Sequence, residues 1–392
     1  MINYKNTKEN QMDRKELMDR SELIKYIAGN ARGSHISLMT ESDIANVGDV
    51  IKTPALDLNR ILSGNLYKGI PSRNLVGIVG KYGTFKSSFS ALCMAEAINH
   101  GYQPIIIDTE GAMSSDFCAR WGLDVSKTIY ISETYVERVM AILAQLKESG
   151  QEKMIITIDS IGGLDRYKAF KDALDDDAKL DQGQLQRNIK QMLKLLLNIC
   201  IHQNSIGIIT AHYYAKPGAY VTTDEVAGGE SVKYVPSILI SLKRVSLKGE
   251  EKQESSEITA TTIKNRMYPP FQTATIRVDY TSGIQQYAGL LDLAIKAGIV
   301  TVSGNTHKFG EVSLGVGAGR AEENLGKHPE ILTKLNDWLK TTGYSSRATN
   351  IDPMLLTGQS IEEAEETTPE EKEIKLALKP TKARKAKSLK RK

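Results

Sequence analysis

The stretch LVGIVGKYGTFKSS, residues 75–88, decides how the chain is read. Its apolar opening, LVGIV, predicts a buried strand. Gly80 and Gly83 then punctuate a loop that ends in Lys86, Ser87 and Ser88, at the start of a helix-period segment over 87–100. A strand, a G-x-x-x-x-G-K-[ST] loop and a helix together form a phosphate cradle. Loop N–H groups and the helix amino terminus attract the anion, the lysine reaches the β- and γ-phosphates, and the hydroxyl meets Mg²⁺. Gly80, Lys81, Tyr82, Gly83, Thr84, Phe85, Lys86, Ser87 and Ser88 are therefore candidate ATP contacts, Ser87 doubling as a metal ligand. One position departs from the pattern. Phe85 stands where the second glycine belongs, and glycine there lets the loop close around phosphate without a side-chain clash.

Working outward, further β-rich runs follow: PIIID, TIYIS, MIITID, IGIIT, ILISLKR, ITATTIK and TATIRVDY. Helix-period segments at 134–149 and 184–203 separate several of them, which argues for an α/β fold with a mainly parallel sheet covered on both faces. The last strands follow one another across turn signals (NRMYPP, TSG), so that edge is expected to be antiparallel. Asp159 ends the buried run KMIITIDS, where a metal-linked carboxylate suits a phosphate-loop site. Asp108 and Glu110 end IIIDTEGA, where a carboxylate could orient and deprotonate water.

The 392 residues suit two or three domains. The first thirty-odd are polar, with helical spacing of Leu17, Leu23, Ile24 and Ile27; a second unit begins near Gly289, with a helix, a hairpin and a helix expected. The net charge of +4 comes from the end of the chain: residues 379–392 hold eight Lys/Arg and no acid, and removing them from 51 leaves 43 against 47 acidic residues. Overall charge is thus no argument for nucleic acid. Cys93, Cys118 and Cys200 have no metal-ligand spacing and cannot all pair, which fits a reducing cytosol. No stretch has the length of a membrane span or the character of a secretory signal.

The phosphate loop, DTE after the next strand, ITIDSIGGL and ITAHYYAKPGAYVTTDEVAGGESVKY together resemble the RecA recombinase superfamily, and the bulky Phe85 resembles its phage UvsX branch. The resemblance continues through ATTIKNRMYPPF and GLLDLAIKAGIV, from about 53 to 339. It implies a RecA-type P-loop ATPase core (53–288), preceded by an oligomerisation region (1–52) and followed by a small α+β domain (289–344) and a disordered charged tail (345–392). By position it implies Glu110 as catalytic base and Asp159 as the Mg²⁺-linked carboxylate. Phe117 becomes the aromatic that stacks on adenine, or else a core residue of a short helix. His212 takes the place of a γ-phosphate sensor, and Lys264 and Arg266 match a pair that reaches into a neighbouring protomer's ATP.

Two stretches read as irregular loops beside the nucleotide, and in the family these line the filament axis: 162–183, with Arg166, Lys168 and Lys171, and 213–229, with Tyr213, Tyr214, Lys216 and Tyr220. Aromatic faces interleaved with charge suit single-stranded DNA. Gly228 and Gly229 read as hinges. The basic end, 379–392, stays open between an attractor of phosphate and a solvated tail, onto which the acidic run 362–373 could fold back, and Ile36, Leu38 and Met39 stay open between a docking segment and an intramolecular element. The implied function is a DNA-stimulated ATPase that forms a helical filament on single-stranded DNA and exchanges strands with duplex DNA. Single-strand-binding and mediator proteins would be its partners, in the host cytoplasm if phage-encoded. A ring-forming helicase-like motor and a non-hydrolysing filament protein are the alternatives.

Overall fold

The computed structural model describes residues 18–31, 34–46, 48–174, 182–215, 224–245 and 255–342. Lys216, Tyr220 and the charged tail lie outside them.

Helix α1 (Arg20–Asn30) opens with a capping box, in which Asp19 accepts from the Glu22 amide at 2.8 Å. None of its residues is buried, and Leu23, Tyr26 and Ile27 stand exposed. A short ribbon of β1 (Val50–Ile51) and β2 (Ile70–Pro71) brackets α2 (Leu56–Ser63).

The body is one ten-stranded sheet. Its strands are β3 (Asn74–Gly80), β4 (Gln103–Asp108), β5 (Ile129–Ser132), β6 (Met154–Asp159), β7 (Ile206–Ala215), β8 (Asp224–Val226), β9 (Ile238–Val245), β10 (Ser255–Asn265), β11 (Thr273–Asp279) and β12 (Gly283–Gln285). The order is β12-β11-β10-β9-β3-β7-β6-β4-β5, with β8 beside β7. From β9 to β5 every neighbour is parallel, while β10, β11 and β12 extend the edge antiparallel, as the turn signals predict.

Parallel strands covered on both faces should alternate their side chains between two cores. They do: Val76, Ile78, Ile106, Ile155 and Ile208 join one cluster, and Leu75, Val79, Ile107, Ile156 and Ile209 the other. The first is covered by α3 (Lys86–Ile98) through Phe89, Cys93 and Met94, and by α4 (Ser115–Arg120) through Cys118. The second is covered by α5 (Val136–Glu148) and α7 (Gln182–His202), the latter offering Ile189, Met192, Leu193 and Leu196 at helical spacing.

Two expected loops are partly regular. After the Ile161–Gly163 turn the chain forms helix α6 (Tyr167–Leu174), whose first amide is held by the Glu137 carboxylate at 3.0 Å. Tyr213–Ala215 extend β7 and pair antiparallel with β8, because a strand leaving the sheet satisfies its amides most simply by folding back on itself. A four-residue helix, α8 (Ser231–Tyr234), follows.

The C-terminal elements are α9 (Leu290–Lys296), the three-stranded sheet β13 (Thr301–Ser303), β14 (Thr306–Phe309) and β15 (Val312–Val316), α10 (Ala318–Leu325) and α11 (Pro329–Thr342). The expected hairpin is thus a three-stranded meander, followed by a helix, α10, that the sequence reading omits. Their core also takes Leu56 and Leu66 from the α2 region. Among the described residues no helix is long and apolar enough to cross a membrane.

Candidate active site

The carboxyl ends of β3, β4, β6 and β7 lie side by side, and registers fix what meets there: Gly80 faces His212, and Asp108 faces Asp159. Gly80 is where β3 becomes the phosphate loop. A Cβ there would stand 2.5 Å from Thr84 Oγ1 and 2.6 Å from the Leu242 carbonyl, so only glycine fits. The loop is closed by its own carbonyl: Lys81 O accepts from Thr84 Oγ1 at 2.8 Å and from Lys86 Nζ at 2.9 Å.

Phe85 resolves the departure from the loop pattern. It occupies the left-handed region (φ 75°, ψ 15°), the conformation that glycine supplies freely, and caps the start of α3. For a residue with a Cβ this costs about 1–2 kcal/mol. Its ring meets Trp121 edge to face, centroids 5.0 Å apart and planes at 83°. Such a pair contributes about 0.5–1.5 kcal/mol, enough to offset much of that cost.

Lys86 is buried, and desolvation lowers its pKa against the pull of Asp159 and Glu110. Its Nζ lies 3.4 Å from His212 Nδ1, and His212 Nε2 lies 3.7 Å from Glu110 Oε1. The Ser160 hydroxyl donates to the same Glu110 oxygen. Lysine, imidazole, carboxylate and hydroxyl thus run in series across the strand ends. Asp108 shapes the Glu110 turn, its carboxylate accepting from the amides of Glu110, Gly111, Ala112 and Met113 and from the Tyr130 hydroxyl. Thr109 clasps the next strand, donating its hydroxyl to Ser160 O at 2.7 Å and accepting from Ser160 N at 2.8 Å. Asp108 is therefore a scaffold and Glu110 the carboxylate facing the loop.

Asp159 is buried, with Thr210 donating its hydroxyl to Oδ1. Oδ2 is buried without a hydrogen-bond partner, although the Ser87 hydroxyl lies beside the carboxyl group. Burial raises this acid's pKa, Ser87 and Thr210 pull it back, and Glu110 and Asp108 push it further up. An orphaned carboxylate oxygen next to a serine hydroxyl fits Mg²⁺, which takes few protein ligands and completes its shell with phosphate and water. In keeping with that, the described residues hold no cluster of three or more His, Cys, Asp or Glu able to cage a metal.

Phe117 lies half-buried on α4, its amide capped by Ser114 Oγ at 3.2 Å, and packs on the same cluster as Phe85. Lys264 and Arg266 are not brought to this site. Lys264 pairs with Leu239, itself level with Gly77, and the Arg266 amide bonds Ser237 O before β9 begins. At about 3.3 Å per residue the phosphate loop starts roughly 10 Å farther along the sheet. Lys264 Nζ instead caps α8, bonding Tyr234 O at 2.6 Å, and burial followed by the nearby Arg266 charge lowers its pKa.

The candidate DNA residues sort differently from the sequence reading. Arg166 precedes α6, and Lys168 and Lys171 lie on it, both exposed. The sequence reading missed their aromatic company. Tyr135, Tyr167 and Phe170 cluster with centroids 5.3 to 6.4 Å apart, Arg138 sits 4.7 Å over Tyr167, and Lys171 sits 5.0 Å over it. Phe170 remains 47% exposed, and the spacing of Tyr167 and Phe170 on one helix face was the available signal. Tyr213 is half-buried against the second core cluster, and Tyr214 shares its strand. Gly228 and Gly229 both have positive φ beside the turn after β8, and a Cβ on Gly228 would stand 2.3 Å from Ile161 Cγ2. Thr210, Ser160 and Thr109 were also missed; each is a hydroxyl residue at or near a strand end, a signal too common to single them out.

A parallel sheet with a glycine–lysine–serine loop at one carboxyl strand end and acids at its neighbours is the arrangement of a phosphate-loop α/β fold. The family model of the RecA N-terminal domain matches residues 23–285, more than half the chain. The chain belongs to the RecA family. It is 26% identical over 319 residues to the RecA protein of Rickettsia canadensis (strain McKiel), spanning 78% of this chain and 92% of that one. It is 27% identical over 317 residues to RecA of Rickettsia massiliae (strain Mtu5), at 78% and 91% coverage. With the RecA protein of a Nitratiruptor species the identity is 25% over 275 residues, covering 69% and 79%.

Proposed function

We propose that this protein is an ATP-dependent DNA recombinase, forming a helical filament on single-stranded DNA, pairing it with homologous duplex DNA and exchanging strands. The observation that carries this is the convergence of Lys86, His212, Glu110 and Asp159 on the phosphate loop of a RecA-family chain. In this reading Lys86 leaves the Lys81 carbonyl to meet the β- and γ-phosphates, and loop amides hold the anion. Glu110, steadied by Ser160 and His212, orients and deprotonates the attacking water. Mg²⁺ held by Ser87 and Asp159 would neutralise phosphate charge. His212 lies beside Lys86 and next to Tyr213, so a γ-phosphate held by Lys86 would let it bias the β7–β8 segment that carries the proposed DNA contacts.

Lys264 and Arg266 sit too far from their own phosphate loop to serve it, which supports a role toward a neighbouring protomer's ATP. Positive charge supplied in trans contributes about 10³–10⁵ in rate in comparable sites. The exposed apolar side of α1 supports oligomerisation by residues 1–52. The face made by Tyr167, Phe170, Arg138 and Lys171 suits stacking of single-stranded bases. Phe85 and His212 support placement in the UvsX branch, and with it single-strand-binding and mediator partners in the host cytoplasm. Residues 53–288 and 289–344 serve as ATPase core and C-terminal domain, and residues 345–392 as a charged tail.

The test is strand exchange between a circular single strand and its linear homologous duplex, with filaments viewed by negative-stain microscopy. Joint molecules and helical filaments that need ATP are expected. Closed rings that unwind duplex without pairing homologues would reject the recombinase reading.

A further inference from the structure

We infer that Trp121 is a positioning residue for the phosphate loop, acting through Phe85; the inference rests on the nucleotide-site reading above. Phe85 immediately precedes Lys86, so its backbone sets the direction of the amides that open α3. It holds a positive φ of 75° that a phenylalanine does not favour, and no side-chain hydrogen bond caps the helix there. The structure shows what holds it: the Phe85 backbone carbonyl accepts from Phe89 N at 2.9 Å, and its ring abuts Trp121 at 5.0 Å.

Trp121 is itself fixed. It ends α4, its amide bonds Cys118 O at 3.1 Å, and its side chain is buried. Its indole Nε1 is buried and lacks a hydrogen-bond partner among the described residues. A buried indole usually finds a partner for its N–H, so this ring is placed for its face and edge and not for its polar atom. The helix it closes also carries Phe117. Through Trp121 the loop that would grip phosphate and the segment proposed to meet adenine share one wall.

Where glycine gives a phosphate loop its left-handed turn for free, this chain takes the turn with an aromatic residue and clamps it with another. Loss of the clamp should therefore matter only while residue 85 needs clamping. Trp121→Leu should weaken ATP binding on the order of three- to tenfold, raising KM while leaving kcat near the wild-type value. Trp121→Phe keeps an aromatic edge and should restore most of the affinity. In a Phe85→Gly background, Trp121→Leu should change ATP affinity less than about twofold.

The experiment is a double-mutant cycle of Phe85→Gly and Trp121→Leu, read by calorimetric titration with Mg·ATP, with circular dichroism on every variant. Equal loss of affinity in both backgrounds would mean a general packing role and overturn the inference, as would no loss in folded Trp121→Leu. If Trp121→Leu does not fold, Trp121→Phe and a Trp338→Phe protein carry the test. In the latter Trp121 is the remaining indole, and its emission should shift on Mg·ATP addition in Phe85 protein but not after Phe85→Gly. The same emission response in both would also overturn it. Wild-type protein that binds no ATP would reject the nucleotide-site reading, and this inference with it, a result distinct from failed coupling.

Discussion

Asp159 is a carboxyl group whose burial disfavours its charged form. Burial, which outweighs the hydroxyls of Ser87 and Thr210, holds its folded pKa above the ordinary 3.8. The folded chain thus binds this proton more tightly than the unfolded chain. The stability it contributes is full below 3.8 and is lost as pH rises through the raised folded value. Asp159→Asn imitates the neutral acid, so the nucleotide-free variant should be more stable than wild type at pH 7, while losing Mg²⁺-dependent ATP binding. The gain should shrink as pH falls toward the carboxylate range. Urea melts at both pH values read this directly, and a variant less stable at pH 7 would contradict it. Glu110 is partly exposed, and its carboxylate is held by Ser160 and lies near His212. Glu110→Gln should keep ATP affinity and lower turnover by about 10²–10⁴.

At the scale of elements, the strand–loop–helix unit was legible because three independent signals coincide within 75–88: an apolar run, spaced glycines, and Lys86-Ser87. The parallel sheet followed from apolar runs separated by helical periods, and its alternation between two cores bears this out. What the sequence hid has a common physical cause. Helix α6 is short, its amphipathic face reads as a mixed polar loop, and the Glu137 carboxylate that caps it comes from 30 residues away. Likewise the β7–β8 pairing depends on a return strand with little intrinsic β propensity, DEV. Close approach between elements was equally invisible. A Cβ on Gly163 would stand 2.5 Å from Thr109 Oγ1 and 3.1 Å from Glu110 Cγ. Gly163→Ala should therefore displace the Glu110 turn and cut turnover at least as much as it affects ATP affinity. Gly80→Ala, against the Leu242 carbonyl, should cost about 1–3 kcal/mol of stability and abolish binding. Thermal melts paired with ATP titration separate the two, and unperturbed binding by Gly80→Ala would contradict the loop geometry.

The whole molecule carries the assembly claim. Lys264 and Arg266 are legible by resemblance alone; the sheet register places them toward the opposite end of the strands from their own phosphate loop, which is compatible with the proposed role toward a neighbouring protomer. Arg266→Ala should bind ATP as wild type does yet turn over poorly. Mixed with Glu110→Gln, it should regain activity, because about one interface in four then joins an intact Glu110 to an intact Arg266. Additive inactivity in the mixture would place both residues in one protomer's site. The central claim, that this RecA-family chain couples ATP hydrolysis to DNA, is tested most directly by measuring ATP turnover without DNA, with single-stranded DNA and with duplex DNA, wild type beside Glu110→Gln. Strong stimulation by single strands, lost in Glu110→Gln, is the predicted result. ATP bound but never hydrolysed under any of the three conditions would contradict it and leave a non-hydrolysing filament protein.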